Sequence, residues 1–130
     1  MHNITSPRTD DAGIEQEIQT KGLTAPRVTP ADIEAEIASE HYFTADQGVF
    51  GAAMDADGTT ERRCKFQSLA LLTFCVLVLR NGFTVVGKSA CASPENFDAE
   101  LGRKIARSDA VNQIWPLLGY ELRSKLAQVA

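Results

Sequence analysis

Two apolar segments with a short polar break between them dominate the hydrophobic pattern of the chain. The first segment runs from Leu69 to Leu79 and stops at Arg80-Asn81-Gly82, after which Phe83-Thr84-Val85-Val86 is largely apolar again. An Asn-Gly pair between two such segments is a strong signal for a β-hairpin. The first segment is apolar at nearly every position, which is typical of a strand that is buried on both faces.

Two helix starts with the same residue order flank this hairpin. Thr29-Pro30 with Asp32 predicts a capped helix, because threonine accepts a backbone hydrogen bond, proline tolerates the first helical position and aspartate favours the positive end of the helix dipole. Ser93-Pro94-Glu95 repeats this order and predicts a second helix, in which apolar residues recur at intervals near 3.6. Pro116 is expected to kink or end it, followed by a short helix from Tyr120 to Gln128.

The stretch between the first helix and the hairpin carries weaker signals. Ile33 and Ile37 form one apolar stripe of the first helix, and Tyr42-Phe43 is expected to anchor its far end. Residues 44–67 show no sustained periodicity and contain several glycines, so they predict a loop. A short strand at Val49-Phe50 is the alternative for part of this stretch.

Together these elements predict an α+β fold. The polar residues 1–27 are expected to form a flexible N-terminal arm, because they have little apolar surface to bury, and residues 28–130 a single α+β domain. In this domain an antiparallel β-hairpin or small sheet packs against the capped N-terminal helix and a long, kinked C-terminal helix. We expect an oligomer, because a strand that is apolar on both faces must be covered by more than one layer.

Charge and cysteine content narrow the range of partners. The chain has 130 residues, a net charge of -4 and an isoelectric point near 5.1, so we expect it not to bind long nucleic acids, which attract cationic proteins. Three cysteines without metal-ligand spacing predict reduced thiols in a cytoplasmic protein. The first residues lack the features of a secretory signal, and the segment from Leu69 to Leu79 is too short to cross a bilayer, so no membrane is expected.

No residue pattern typical of catalysis occurs in the sequence. His2 and His41 have no cysteine, serine or carboxylate motif around them, and glycine-rich phosphate loops are absent. Asp55, Asp57 and Gly58 look like part of a calcium loop, but the other ligands and the closing glutamate are missing, so they predict a surface turn. We therefore expect a protein that is not an enzyme and has no catalytic residue, metal or cofactor.

The candidate ligand-binding residues lie around the second helix. Arg103 and Arg107 are four residues apart on one predicted helical face with Asn96, and such a face is suited to a pyrophosphate. The alternative is that both arginines form ordinary surface ion pairs with a neighbouring glutamate. Backbone N–H groups after Ser93 predict an anion site at the helix start, unless Ser93 only caps the helix. Phe83, directly after the hairpin turn, is either a packing residue or a platform for a stacked base.

Several short motifs occur in a fixed order between Arg27 and Leu126. They are Val28-Thr29-Pro30 with Ile33, Asn81-Gly82-Phe83, Ser89-Ala90-Cys91 followed by Pro94, Asn96-Phe97-Asp98 with Gly102, Asn112-Gln113-Ile114-Trp115, and Leu118-Gly119-Tyr120. In these motifs the segment resembles a small family of tailed-phage proteins named after gene 49 of one phage and gene 66 of another. The chain departs from the family's pattern at Pro116, where relatives have an uninterrupted acidic helix.

The Asn-Gly-Phe, Ser-Ala-Cys and helical Leu-x-Gly-Tyr pattern is also similar to the Thoeris anti-defence sponges of phages. This resemblance implies a protein that binds and sequesters the cyclic ADP-ribose isomer made by bacterial TIR-domain immune enzymes, in the cytoplasm of the infected host and without cleaving it. It also implies a homo-oligomer built from dimers, and cyclic oligonucleotides as further ligands. The alternative function is a non-enzymatic module that binds a host protein through its apolar ribbon or acidic surface.

Overall fold

A three-stranded antiparallel sheet with a long helix across one face forms the centre of the protein. The structure is a computed structural model and describes residues 10–57 and 67–129, with only the backbone described for residues 55–57. The helices are α1 (Asp11–Thr20), α2 (Pro30–Glu36), α3 (Ala45–Asp57) and α4 (Ala99–Gln128), and the strands are β1 (Ile37–Thr44), β2 (Leu72–Leu79) and β3 (Thr84–Ala90). Short 3₁₀ turns at Gln67–Leu71 and Pro94–Asn96 precede β2 and α4. The predicted α+β class is confirmed.

The core lies between α4 and the sheet. The strands are ordered β1-β2-β3, and alternate residues of the central strand β2 are buried against the helix, namely Thr73, Cys75, Leu77 and Leu79. The helix contributes buried residues at intervals of four, namely Gly102, Ala106, Ala110 and Ile114. Ile33 from α2 and Val85 from β3 complete the buried hydrophobic cluster. Three of these four helix residues are small, which allows the helix and the sheet to approach closely.

A glycine on β3 sets the distance between the helix and the sheet. A Cβ atom added to Gly87 would overlap the carbonyl oxygen of Ala106 and the amide nitrogen of Ala110. Near the start of the helix, a Cβ atom on Gly102 would lie 3.1 Å from Oγ1 of Thr73. Backbones approach each other this closely only where no side chain stands between them, so Gly87 is a requirement of the packing.

The predicted hairpin is confirmed, and its loop has the usual three-residue form. The N–H of Leu79 donates to the carbonyl of Phe83 at 2.8 Å, and the carbonyl of Leu79 accepts from the N–H of Gly82 at 2.8 Å. Gly82 has a φ of 90°, in the left-handed region that favours glycine. Asn81 Oδ1 accepts from the N–H of Phe83 at 2.9 Å. A turn that ends on a left-handed glycine joins the strands with the correct twist.

The helix predicted at Thr29 is α2, which is capped as predicted but ends earlier than the Ile33 and Ile37 stripe suggests. Thr29 and Asp32 form a reciprocal capping box, with hydrogen bonds of 3.1 Å to the Thr29 hydroxyl and 2.9 Å to the Asp32 carboxylate. The helix ends at Glu36, and Ile37 begins β1. Tyr42-Phe43 therefore lies in a strand, because antiparallel pairing with apolar β2 satisfies the backbone and covers both residues better than a helix end would.

The predicted loop is wrong for residues 45–57, which form α3. The N–H of Gln47 donates to Oγ1 of Thr44 at 3.2 Å, and the N–H of Thr44 donates to Oε1 of Gln47 at 2.9 Å. This is a second capping box, and it fixes the start of the helix directly after β1. The alternative strand at Val49-Phe50 is wrong for the same reason.

The predicted long C-terminal helix is confirmed, and of the two effects expected of Pro116, a kink or an end, the end is wrong. α4 runs through Pro116 for 30 residues, so the separate helix expected from Tyr120 is its last part. A proline removes one backbone hydrogen bond from a helix interior. Packing of Ile114 and Leu118 against the core, on both sides of the proline, offsets this loss.

Residues 11–20, which belong to the predicted N-terminal arm, form α1. Arg27 donates to both carboxylate oxygens of Glu15, at 2.6 and 2.7 Å, and so ties the helix to the chain that enters α2. Ile14 and Ile18 line a cavity of about 190 Å³ with Trp115 of α4. The composition of the segment does not reveal this ion pair, because its partners are 12 residues apart. Residues 1–9 lie outside the described residues.

Gly87→Ala is expected to destabilise the protein by about 1 to 3 kcal/mol, because β3 and α4 would have to separate to accept the methyl group. Urea unfolding followed by circular dichroism measures this change. Gly51→Ala in α3 is the matched control, since nothing lies within 4 Å of its added Cβ and alanine favours a helix by about 1 kcal/mol over glycine. Equal stability of the two variants would contradict the close packing at Gly87.

The contact of α1 with the domain is expected to weaken at acid pH. Hydrogen bonds from Arg27 lower the pKa of Glu15 from 4.5 to about 2, so the ion pair contributes fully above pH 4.5 and is lost as the pH falls toward 2. Hydrogen exchange of the α1 amides, corrected for the intrinsic pH dependence of exchange, measures the loss. In Arg27→Met the protection of α1 should already be low at neutral pH. Lys21→Met, which removes an exposed pair with Glu17, is the control and should retain it.

Candidate functional site

Two cavities lie near the start of α4, one at the end of β3 and the other beside the end of β1. The larger one, which we call the β3 cavity, has a volume of about 550 Å³. Its lining residues are residues 89–92, Asn96, Phe97, Asp98, Leu101, Gly102 and Ile105. Most of this wall is apolar, and a few polar groups from Ser89, Asn96 and Asp98 interrupt it. Size and composition are typical of a small-molecule site.

The second cavity, which we call the Arg103 cavity, has a volume of about 380 Å³. Its lining residues are Tyr42, Phe43, Thr44, Gln47, Ala70, Thr73, Phe97, Ala99 and Arg103. Arg103 is the charged residue of this wall, and within residues 10–57 and 67–129 no carboxylate forms an ion pair with it. Glu100, the neighbour expected to pair with it, contacts Lys104 at 3.7 Å. Among the described residues the Arg103 guanidinium thus has no carboxylate partner, and aromatic residues line the same cavity.

Phe97 forms part of the wall of both cavities. The 3₁₀ turn at Pro94–Asn96 holds it there, because the N–H of Phe97 donates to the carbonyl of Pro94 at 3.2 Å. Its ring lies near the helix backbone, so that a Cβ atom on Gly102 would be 3.9 Å from Cε1 of Phe97. The two cavities thus share one partly buried aromatic side chain.

The long helix does not begin at Ser93, where the sequence predicted an anion site at a helix N-terminus. Ser93 precedes a 3₁₀ turn of three residues, and its hydroxyl donates to Glu95 at 3.0 Å instead of capping a helix. The long helix is capped by Asp98, whose Oδ1 accepts from the N–H of Leu101 at 3.0 Å. Because a carboxylate already occupies the positive end of the helix dipole, this terminus is not prepared for a second anion.

Arg107 joins three elements of the fold through two carboxylates. Its Nε and Nη2 donate to Oε2 of Glu40 on β1 at 3.1 and 2.9 Å. Its Nη1 and Nη2 donate to the carboxylate of Glu34 on α2 at 3.3 and 2.9 Å. Glu40 also accepts from the Tyr42 hydroxyl at 2.8 Å. The guanidinium of Arg107 is therefore paired with two carboxylates of the fold, whereas Arg103 lines the second cavity.

The pKa shifts around Arg107 agree with a structural cluster. Hydrogen bonds from Arg107 lower the pKa of Glu40, and the two carboxylates raise the pKa of Arg107. Burial, with the hydrogen bond to Glu40, raises the pKa of the Tyr42 phenol, and burial also raises the pKa of the Cys75 thiol. At neutral pH the carboxylate and the guanidinium are thus charged, while the phenol and the thiol are neutral.

The structure separates the five residues that the sequence singled out. Asn96 lines the β3 cavity and Arg103 lines the Arg103 cavity. Arg107 is paired with its carboxylates, and Ser93 lies in the turn before Phe97 without lining either cavity. Phe83 is 56% exposed at the hairpin loop, at the far end of β3 from the cavities.

Sequence reasoning missed Phe97 as a site residue. Its spacing from Leu101 assigns it to the apolar face of the second helix, but the helix begins only at Ala99. Asp98 is the signal that marks this boundary, because aspartate is a preferred N-cap residue. Its carboxylate accepts from the N–H of Leu101, three positions later. A residue directly before an N-cap lies outside the helix and is available to line a cavity.

The described part of the chain offers no cluster of three histidine, cysteine, aspartate or glutamate side chains that could hold a metal ion. Cys75 and Cys91 are free thiols, and Sγ of Cys91 donates to the carbonyl of Ser93 at 3.1 Å. The surface turn predicted at Asp55, Asp57 and Gly58 falls on side chains and a residue outside the described ones. None of the described helices is long and apolar enough to span a membrane.

Comparison with known proteins places both cavities within a single family segment. Residues 28–126 match the phage protein (N4 Gp49/phage Sf6 gene 66) family. The chain belongs to this family. No curated protein and no solved structure matches the chain.

The motifs on which the resemblance rests include two groups at opposite ends of β3. Ser89-Ala90-Cys91, Asn96-Phe97-Asp98 and Gly102 all line the β3 cavity, although they come from a strand, a turn and a helix. Asn81-Gly82-Phe83 instead forms the hairpin loop at the other end of β3. The first group converges on one cavity, and the second explains how β2 and β3 are joined.

The two arginines are expected to differ in their effect on stability. Arg107→Met leaves Glu34 and Glu40 unpaired and should lower the free energy of unfolding by about 1 kcal/mol, limited by the partial exposure of both carboxylates. Arg103→Met removes no described ion pair and should change it by less than about 0.5 kcal/mol. Urea unfolding at neutral pH measures both. Because the pKa of Glu40 is lowered in the fold, the effect of Arg107→Met should shrink as acid protonates Glu40. Equal losses in the two variants would contradict these roles.

Proposed function

We propose that this phage protein binds and sequesters a cyclic nucleotide-type immune signal in the cytoplasm of the infected bacterial host, without cleaving it. The proposed ligands are the cyclic ADP-ribose isomer of TIR-domain (Thoeris) signalling and, as a second class, cyclic oligonucleotides. Membership of a phage family supports the setting of this proposal. The two cavities at Phe97 support the binding of a small molecule.

The observation that carries the proposal is the position of Arg103 next to aromatic rings. Its guanidinium has no carboxylate partner among the described residues and lines a cavity with Phe97 and Tyr42. A guanidinium binds a phosphate through two parallel hydrogen bonds, and an aromatic ring offers a surface on which a base stacks. Arg103 on one side of Phe97 and Asn96 on the other would hold the phosphate and the polar edge of a base.

The polar groups of the cavity walls favour binding over bond cleavage. The Cys91 thiol donates to a backbone carbonyl, so no base in the described structure takes its proton. The Asp98 carboxylate accepts from the helix backbone, and the Tyr42 hydroxyl donates to Glu40. These groups are occupied by structural hydrogen bonds, which supports sequestration as the activity of the site.

A second candidate function is the binding of a host protein. It is favoured by the apolar residues on the face of the sheet opposite α4, where Val86 is 49% exposed and Phe43 is 37% exposed. Exposed apolar surface of this kind often takes part in protein interactions. This candidate requires neither cavity, so the variants below separate it from ligand sequestration.

Titration calorimetry with cyclic ADP-ribose isomers and cyclic dinucleotides tests the proposed function. The wild-type protein is expected to bind at least one of them with a dissociation constant in the micromolar range or below. Arg103→Ala and Phe97→Ala should each weaken binding at least about tenfold, which corresponds to about 1.4 kcal/mol of lost phosphate or stacking interaction. Arg123→Ala, on the same helix but not in either cavity wall, is the matched control and should bind normally.

Mass spectrometry of the ligand released by denaturation separates sequestration from turnover. Recovery of the intact ligand after prolonged incubation is expected, whereas its conversion would show an enzyme. Failure to bind every compound of both classes would refute the proposed function. Capture of one host protein by wild type and by Arg103→Ala alike would favour the interaction module instead.

A further inference from the structure

Tyr42 connects the Arg103 cavity with the ion pairs of Arg107. It lines the cavity together with Arg103 and Phe97, and its hydroxyl donates to Oε1 of Glu40 at 2.8 Å. Glu40 in turn accepts from Arg107, and neither of these two residues lines the cavity. The wall of the cavity is therefore joined to residues that a ligand in it would not touch.

Tyr42 and Glu40 lie two positions apart on β1, and both face α4. In the antiparallel pairing of β1 with β2, Glu40 lies opposite Leu77. Tyr42 lies opposite Cys75, and both of these β2 residues are buried under the helix. Residues directly opposite each other in such a pair point to the same face of the sheet. The alternation of the strand thus places the phenol and the carboxylate next to each other on the side of α4.

Phe43 also lines the Arg103 cavity, but its ring lies on the opposite face of the sheet. It pairs with Phe74 of β2, and the two ring centroids are 5.4 Å apart. Tyr42 and Phe97 are therefore the aromatic side chains of the described wall that share the α4 side with Arg103. The orientation of the Tyr42 ring thus decides part of the surface that the cavity offers to a flat group.

Arg107 holds the Glu40 carboxylate in one orientation. Its Nε and Nη2 both donate to Oε2 of Glu40, and Oε1 accepts from the Tyr42 hydroxyl. The guanidinium is itself held by Glu34 of α2, which accepts from Nη1 and Nη2. A planar guanidinium bound by two carboxylates has little freedom to rotate. We call these four residues, from Tyr42 to Glu34, the Tyr42 network.

The protonation states at neutral pH favour this network. Burial, with the hydrogen bond to Glu40, raises the pKa of the Tyr42 phenol, so its O–H stays a donor. Hydrogen bonds from Arg107 lower the pKa of Glu40, so its carboxylate stays an acceptor. Hydrogen bonds to charged groups are stronger than those between neutral groups, which favours a fixed geometry of the phenol.

We propose that Arg107 is a positioning residue of the Arg103 cavity, which acts through Glu40 to fix the Tyr42 ring in the cavity wall. This role rests on the proposed function, because it assigns the ring to contact with a ligand. A ring that is held in place before binding does not have to be ordered by the ligand, so the ligand binds more tightly. Arg103 then contacts the ligand directly, and Arg107, one helical turn later, affects binding without touching it.

Titration calorimetry with cyclic ADP-ribose isomers and cyclic dinucleotides tests this role. Tyr42→Phe and Arg107→Met should each weaken binding about fivefold, because the ligand must then order the ring. Both changes interrupt the same network, so the double variant should also lose about fivefold, and not the roughly twenty-fivefold of independent effects. Lys104→Met removes a cation from the same helix outside the network and is the matched control, which should bind like wild type. Circular dichroism checks the fold of each variant.

Glu40→Gln separates positioning from a simple effect of charge. An amide has one acceptor oxygen and cannot accept from both Arg107 and Tyr42, so the network is interrupted. Loss of a negative charge near the cavity would by itself strengthen the binding of an anion. Positioning predicts the opposite, a loss of about fivefold. Equal or tighter binding by Glu40→Gln would overturn the proposal, as would multiplied losses in the double variant.

NMR of the tyrosine hydroxyl protons tests the support of the ring without any ligand. The chain has two tyrosines, and Tyr120, which is 77% exposed, is the internal reference. The Tyr42 hydroxyl proton should exchange with water about tenfold faster in Arg107→Met than in wild type, and at the wild-type rate in Lys104→Met. An unchanged rate in Arg107→Met would overturn the proposal. If the wild-type protein binds none of the compounds, the proposed function is refuted, and this rate still decides whether Arg107 fixes Tyr42.

Discussion

The contact between Gly87 and the backbone of α4 is the constraint on which the rest of the structure depends. At this point helix and strand touch without any side chain between them, and the buried alanines on the facing helix surface permit it. The close approach fixes the height and position of a 30-residue helix over the sheet. The start of that helix is thereby held over the sheet, with one cavity at the end of β3, the other beside the end of β1, and Phe97 in the wall of both.

The same packing gives the two arginines of α4 different roles. Arg103 and Arg107 are one helical turn apart, but they have different neighbours in the fold. Arg107 lies opposite Glu40 and Glu34 and is used to connect α4 with β1 and α2. Arg103 lies nearer the start of the helix, lines the second cavity together with aromatic residues, and forms no ion pair with a carboxylate of the described residues. Sequence spacing alone could not separate the two arginines, because the carboxylates that pair with Arg107 lie more than 60 positions away.

What could be predicted from the sequence is what short-range interactions determine. The Asn81-Gly82 loop and the Thr29–Asp32 cap are made by neighbours in the chain, and both are present. β1 was missed because its pairing and the partner of Glu40 are long-range, and no local pattern marks either. The start of α3 had a local signal in Thr44 and Gln47, but glycines in the following residues weakened the helical pattern. Phe97 required knowledge that Asp98, and not Ser93, caps the long helix.

Because Arg107 is paired with Glu34 and Glu40, one arginine, Arg103, is left in the cavity walls to bind a charged group of a ligand. One available guanidinium forms a bidentate contact with one phosphate group, whereas a pyrophosphate presents two. Within the described walls of the cavities, further attraction must come from aromatic contact at Phe97 and from uncharged donors such as Asn96. Stacking contributes about 1 to 3 kcal/mol per base to the binding free energy and depends little on salt. A contact between a guanidinium and a phosphate, by contrast, is weakened by salt. A ligand of this site would therefore be selected mainly by its flat groups, and its charge would orient it.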